Sequence, residues 1–127
     1  GQNQFNEVLF FPLNGATQVV ARDFDNDGDL DIAAISYFPD YNRESPLEAF
    51  VYMENQGRLK FNATSMRESL AARWFCMDAA DGDGDGDIDI ILGAMNGGPG
   101  EVPAPLAKAW AERPTPLMIL VNQTVTG

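Results

Sequence analysis

The sequence predicts an all-β chain built from two copies of one antiparallel unit of three to four strands, and three observations predict it. A nine-residue stretch with aspartate at every second position occurs at residues 23–31 and again at residues 81–89, 58 positions on. Short apolar runs flank each copy. These runs are four to five residues long and rich in Val, Ile and Phe, which suits strands rather than helices. Turn formers such as Gln56-Gly57 and Asn96-Gly97-Gly98-Pro99-Gly100 separate the runs.

Taken in order, residues 1–14 read as an outer strand of a preceding unit, centred on residues 7–11. Repeat 1 spans residues 15–71. It opens with the strand Gln18-Val19-Val20-Ala21, turns through the first acidic stretch and returns along Ile32-Ala33-Ala34-Ile35. A third strand, Ala49-Phe50-Val51-Tyr52-Met53, leads to Asn55-Gln56-Gly57, and residues 58–61 read as the return strand of a hairpin there. Repeat 2 spans residues 72–127 with the same order: Arg73-Trp74-Phe75-Cys76-Met77, the second acidic stretch, Ile90-Ile91-Leu92, and Leu117-Met118-Ile119-Leu120-Val121 before Asn122-Gln123. Long connections join the second and third strands at residues 37–48 and, as an insertion, 94–116. Within the latter, residues 106–112 lie between prolines, are alanine-rich, and form a candidate short helix. A repeat of this period is the mark of stacked units or propeller blades, so the whole of residues 1–127 reads as one β domain.

Charge narrows the function classes. The net charge of -11, with no histidine, opposes nucleic-acid phosphates and anionic membranes. No apolar stretch is long enough to span a bilayer, and no leader-like segment opens the chain. Its start at Gly1-Gln2 reads as a processed product, a fragment or a cloning remnant. Ten of the nineteen acidic residues crowd into the two stretches, an arrangement that is costly without cations. The lone Cys76, within an apolar run, reads as a small buried hydrophobe.

In both stretches carboxylates stand at positions 1, 3, 5 and 9, glycine at 6 and aspartate at 7. Calcium takes six to eight oxygens at about 2.3–2.6 Å, and a tightly coiled loop turns every second side chain toward one point. Asp23, Asp25, Asp27 and Asp31 are therefore candidate side-chain ligands of one site, with the Asp29 carbonyl. Asp81, Asp83, Asp85 and Asp89, with the Asp87 carbonyl, are those of a second. An EF-hand would need glutamate at position 12 and helices on either side; Ala34 and Leu92 stand there, between strands. Magnesium yields its water reluctantly, and zinc and copper are poorly served by all-oxygen sites, which leaves two Ca2+ as the expected cofactors.

Asp23-Phe-Asp-Asn-Asp-Gly-Asp-Leu-Asp-Ile, with the Asn55-Gln56-Gly57 turn leading to Phe61, resembles the FG-GAP and VCBS repeat family, the integrin-α-like calcium-binding β-propeller blades. The second copy departs from the first in having Gly82 where Phe24 stands. The resemblance covers most of residues 15–122 and implies propeller-type blades with a calcium ion stiffening the hairpin between the first two strands. Two blades are incomplete as a closed ring, which takes four to eight. Either further blades complete it, or copies of the chain associate through their exposed blade edges as an oligomer or filament.

Asn62-Ala63-Thr64 and Asn122-Gln123-Thr124 are N-glycosylation acceptor triplets, at Asn62 and Asn122. Tyr37, Phe38, Tyr41 and Trp110 lie in the long connections. They either pack those loops down or, as the family geometry implies, form a rim opposite the calcium loops for a protein or carbohydrate ligand. No histidine is present to act as a general base, no nucleophile motif is found, and carboxylates that ligate a cation are poor proton carriers. The expectation is a non-catalytic, calcium-rigidified structural or adhesion module, secreted or at the cell surface, without membrane insertion. The alternative is a pair of supporting blades in a larger secreted polysaccharide-active enzyme.

Overall fold

Alternating apolar runs form strands only when a neighbouring strand satisfies their backbone, and in this chain the acidic loops bring those neighbours together. The computed structural model describes residues 4–7, 12–41, 49–98 and 100–123. Two antiparallel sheets result. The first has the order β1-β2-β3-β4, with β1 at Ala16–Arg22, β2 at Asp31–Ser36, β3 at Phe50–Asn55 and β4 at Phe61–Thr64. The second has the order β5-β6-β7, with β5 at Trp74–Ala80, β6 at Asp89–Ala94 and β7 at Leu117–Leu120. Among the described residues the fold is all-β, in two blade-like sheets that do not close into a ring.

The repeat extends to the hydrogen-bond register. Arg22 faces Asp31 across the first loop and Ala80 faces Asp89 across the second. Each hairpin then shifts register at the far end, between Ala16 and Gln18 in one sheet and between Trp74 and Cys76 in the other. An irregularity recurring at equivalent positions belongs to the unit itself and bends the first strand of each sheet.

The sheets pack face to face. Val20, Ala33, Ile35, Phe50 and Tyr52 of the first meet Met77, Ile90, Leu92, Met118 and Leu120 of the second, with Phe24 and Trp74 filling the space between them. Each fully buried side chain of this kind contributes about 1.5–3 kcal/mol. The Gln18 side chain spans the join: its amide nitrogen, Nε2, donates to the Met77 carbonyl at 2.6 Å, while the Met77 N–H donates to its Oε1 at 2.8 Å. One side chain thus imitates a strand partner between the two sheets.

The structure corrects two expectations and decides between the two readings of Tyr37 and Trp110. Cys76 is exposed, because it lies on the face of β5 that turns away from the first sheet; a Cβ on Gly93 opposite would come within 2.6 Å of its sulfur. The return strand of the first repeat begins at Phe61 rather than at residue 58, since Arg58 and Leu59 adopt left-handed backbone and lengthen the turn. Tyr37 and Trp110 pack their connections down, as the first of those readings has it, since both are buried. Tyr37 is buried, in edge-to-face contact with the exposed Phe38 and Phe75 and under the Arg73 guanidinium 3.7 Å from its ring centre. Trp110 is buried as the anchor of a helix at Ala104–Glu112 (α1), its ring N–H donating to the Leu70 carbonyl. Burial holds the Tyr41 hydroxyl above the usual tyrosine range, against the opposing pull of Arg73.

That helix realises the candidate at residues 106–112 and starts two residues earlier, where Pro105 sits in the first turn and needs no N–H donor. A short 3-10 turn, Arg67–Leu70, receives it; this turn carries no sequence pattern of its own. Buried Ser69 within it accepts the Phe50 N–H, and its carbonyl accepts the Trp74 ring N–H. The strand expected at residues 7–11 lies largely outside the described residues, as does part of the connection at residues 37–48.

Candidate metal centre

Both acidic loops are wound by one hydrogen-bond scheme, in which short carboxylates cap the backbone that follows them. The position 1 carboxylate accepts two N–H groups in loop 1, from Asp27 and Gly28 to Asp23. In loop 2 Asp81 accepts three, from Gly84, Asp85 and Gly86. Position 3 accepts the N–H of position 5, as Asp25 does from Asp27 and Asp83 from Asp85. Position 5 accepts the N–H of position 7, as Asp27 does from Asp29 and Asp85 from Asp87, both at 2.9 Å. Gly28 and Gly86, at position 6, have φ of 92°, a conformation in which a side chain is strained.

Position 9 anchors the loop to its sheet. Asp31 and Asp89 are 0% and 1% exposed. One oxygen of each takes the N–H of position 2, from Phe24 at 3.0 Å and Gly82 at 2.8 Å. The other takes the N–H of the asparagine at or just beyond the end of the third strand, Asn55 or Asn122, both at 2.8 Å. The amides of these asparagines return to the position 8 carbonyls, Leu30 and Ile88. Asn55 and Asn122 are thus part of the loop scaffold, and the Asn-Gln pair shared by the two third strands was their signal in the sequence.

Of the ten aspartates singled out, the fold gathers Asp23, Asp25 and Asp27 into one group and Asp81, Asp83 and Asp89 into another, with one carboxylate oxygen from each residue within 4.8 Å of the others in its group. Asp31 stands outside the first group and Asp85 outside the second. Asp29 and Asp87, expected to offer only their carbonyls, also lie outside, and the Asp87 side chain instead accepts the Asn26 amide at 2.6 Å.

Crowding shows in the protonation. Burial, with a hydrogen bond to Asp27 and the charge of Asp31, pushes the Asp25 carboxyl up to about 7. Asp83 is raised for the same reasons, burial first and then Asp85. Asp81, held by the Gly86 N–H above all, is lowered and stays ionised. Burial and the neighbouring Asp31 and Asp25 also raise the Tyr52 hydroxyl. Hydrogen bonds from N–H groups occupy one lone pair of a carboxylate oxygen and leave another, so each triad still presents hard, anionic oxygen to a cation. The donor set therefore fits a metal ion of the calcium type.

A family model described as FG-GAP-like repeat matches residues 23–92, more than half of the chain. The chain belongs to the FG-GAP-like repeat family. The match runs from the first aspartate of loop 1 to the strand that follows loop 2, so it takes in both loops and the whole first repeat beyond β1. No curated protein and no solved structure matches the chain. As an FG-GAP-like repeat protein it is a blade-type module carrying two acidic clusters able to hold metal ions.

Proposed function

We propose that this FG-GAP-like chain is a non-catalytic, calcium-binding structural or adhesion module of the extracellular space or cell surface. One observation carries the reading: two loops 58 residues apart reproduce the same hydrogen-bond scaffold and each draws three carboxylates together. A scaffold duplicated to this degree supports a shared ligand, and repulsion among its carboxylates supports a cation. Calcium bound by side chains on Asp23, Asp25, Asp27 and Asp31, and on Asp81, Asp83, Asp85 and Asp89, stiffens each hairpin and adds folding free energy by mass action. Extracellular modules hold calcium with dissociation constants of roughly 10⁻⁴–10⁻³ M, which suits exposed loops of this kind. No helix among the described residues is long and apolar enough to cross a membrane.

Its partner is a further blade, from a longer chain or from a second copy. Support comes from the far face of the second sheet, where Leu117, Ile119 and Val121 are exposed. Counted from the asparagine at or just beyond the end of each third strand, these match Phe50, Tyr52 and Glu54, and Phe50 and Tyr52 are what the first sheet packs on the second. The contact is then made by faces rather than by edges alone. Asn62, exposed on β4, is the acceptor for any glycan; both Asn122 amide hydrogens are committed, to the Phe24 and Ile88 carbonyls.

The test is the solution mass by light scattering, together with a thermal melt, in millimolar calcium and then in excess chelator. Calcium should raise the melting temperature, and chelation should lower both it and any oligomer mass. An unchanged melt would overturn the metal assignment, and a folded monomer in calcium would overturn self-association.

A further inference from the structure

We infer that the two loops take up their cations cooperatively, coupled by a bridge in which Asn26 joins loop 1 to Asp87 of loop 2 and Asn122 joins Phe24 to Ile88 and Asp89. The inference rests on the metal reading proposed above and concerns how one loop senses the other.

Asn26 stands between Asp25 and Asp27, two of the three carboxylates gathered in loop 1. Its backbone is left-handed, with φ of 60°, and its amide donates to Asp87 Oδ1 at 2.6 Å. Asp87 is itself buried, at position 7 of loop 2. Ordering Asp25 and Asp27 therefore fixes Asn26, and Asn26 fixes the segment that closes loop 2. The second link is independent of the first. Asn122 Nδ2 donates to the Phe24 carbonyl in loop 1 at 2.5 Å and to the Ile88 carbonyl in loop 2 at 3.0 Å, while its N–H holds Asp89, a member of the second triad.

Neither link is a general property of the repeat. At the place of Asn26 the second loop has Gly84, and a Cβ there would meet nothing within 4 Å. In repeat 1 the counterpart of Asn122 is Asn55, whose amide is engaged with Leu30 of its own loop. Asn26 and Asn122 thus act across the join between the two sheets, where the hydrogen bonds transmit order. Long-range repulsion between two bound cations works against the coupling and is screened over about 8 Å at physiological salt. Cooperativity should accordingly grow as salt is raised from about 0.01 M to 0.15 M.

Calcium titration by calorimetry and terbium luminescence of six proteins tests this: the parent chain, D81N/D83N and D23N/D25N, each with and without N26G. Glycine keeps the left-handed backbone, so N26G removes the amide with little strain. Disabling loop 2 should weaken loop 1 about fivefold or more, and disabling loop 1 should weaken loop 2 by the same factor, since coupling is reciprocal. N26G should shrink both factors together while circular dichroism stays unchanged. Two loops whose affinities ignore each other's loss, or coupling undiminished in N26G, would overturn the inference and leave the metal reading intact. A parent chain that binds no cation would overturn the metal reading itself, and the coupling with it.

Discussion

Asp31 shows how much one carboxylate can carry. It is fully buried and accepts the Phe24 and Asn55 N–H groups, one on each oxygen. Replacing it by alanine leaves two buried donors without acceptors, at about 1–3 kcal/mol each. Asp31→Ala should therefore cost about 2–5 kcal/mol in a urea melt even with chelator present, while Asp27→Ala, on an exposed loop, should cost far less. Asp25 sets a pH dependence. Its carboxyl, raised to about 7 chiefly by burial, binds its proton more tightly folded than unfolded. In chelator, the stability it contributes is present below the ordinary carboxylate range and is lost as pH rises through about 7. Calcium needs the ionised form, so affinity should fall as pH drops below that value, with proton release on binding. Melts and titrations at several pH values, with D25N as the flattened control, read both slopes.

Elements are held by single anchors. In α1 only Trp110 is buried, and its ring N–H ties the helix to the 3-10 turn that also positions Phe50 and Trp74. Trp110→Ala should cost about 3–5 kcal/mol and reduce the helical signal in circular dichroism, while calcium affinity per folded molecule stays unchanged. The acidic loops depend in the same way on position 6. Gly28→Ala should strain a backbone at φ of 92° by about 1–2 kcal/mol and weaken loop 1 ahead of loop 2, as resolved by terbium luminescence.

At the scale of the molecule the repeat is regular and the surfaces are not. The near face of the second sheet is buried against the first, and its far face leaves Leu117, Ile119 and Val121 exposed. On the proposed reading this face is where a further blade or a second copy docks. Ile119→Asp should abolish any calcium-dependent oligomer in light scattering while leaving the monomer's melting temperature within about 1 kcal/mol of equivalent stability. Gln18→Ala acts on the internal join instead. It removes both hydrogen bonds to Met77 and should loosen the two sheets without affecting association through the far face.

The all-β class, the repeated acidic loop and the strands that flank each copy were legible in the sequence because each depends on local spacing: alternation makes strands, and an aspartate at every second position with glycine at the sixth winds a loop. The helix at residues 104–112 was legible from its prolines and alanines. Long-range contacts were not. Cys76 lies within an apolar run, yet whether its face is covered depends on where the second sheet's partners fall. Asn26 carries no charge and stands in an ordinary turn position, and the repeated Asn-Gln pair marks Asn55 and Asn122 as equivalent without showing what they hold, so their roles as clasps appear only once strands far apart in sequence are side by side. The same holds for which carboxylates of each acidic loop come together: spacing supplies the candidates, and the sheet beneath them decides which oxygens meet.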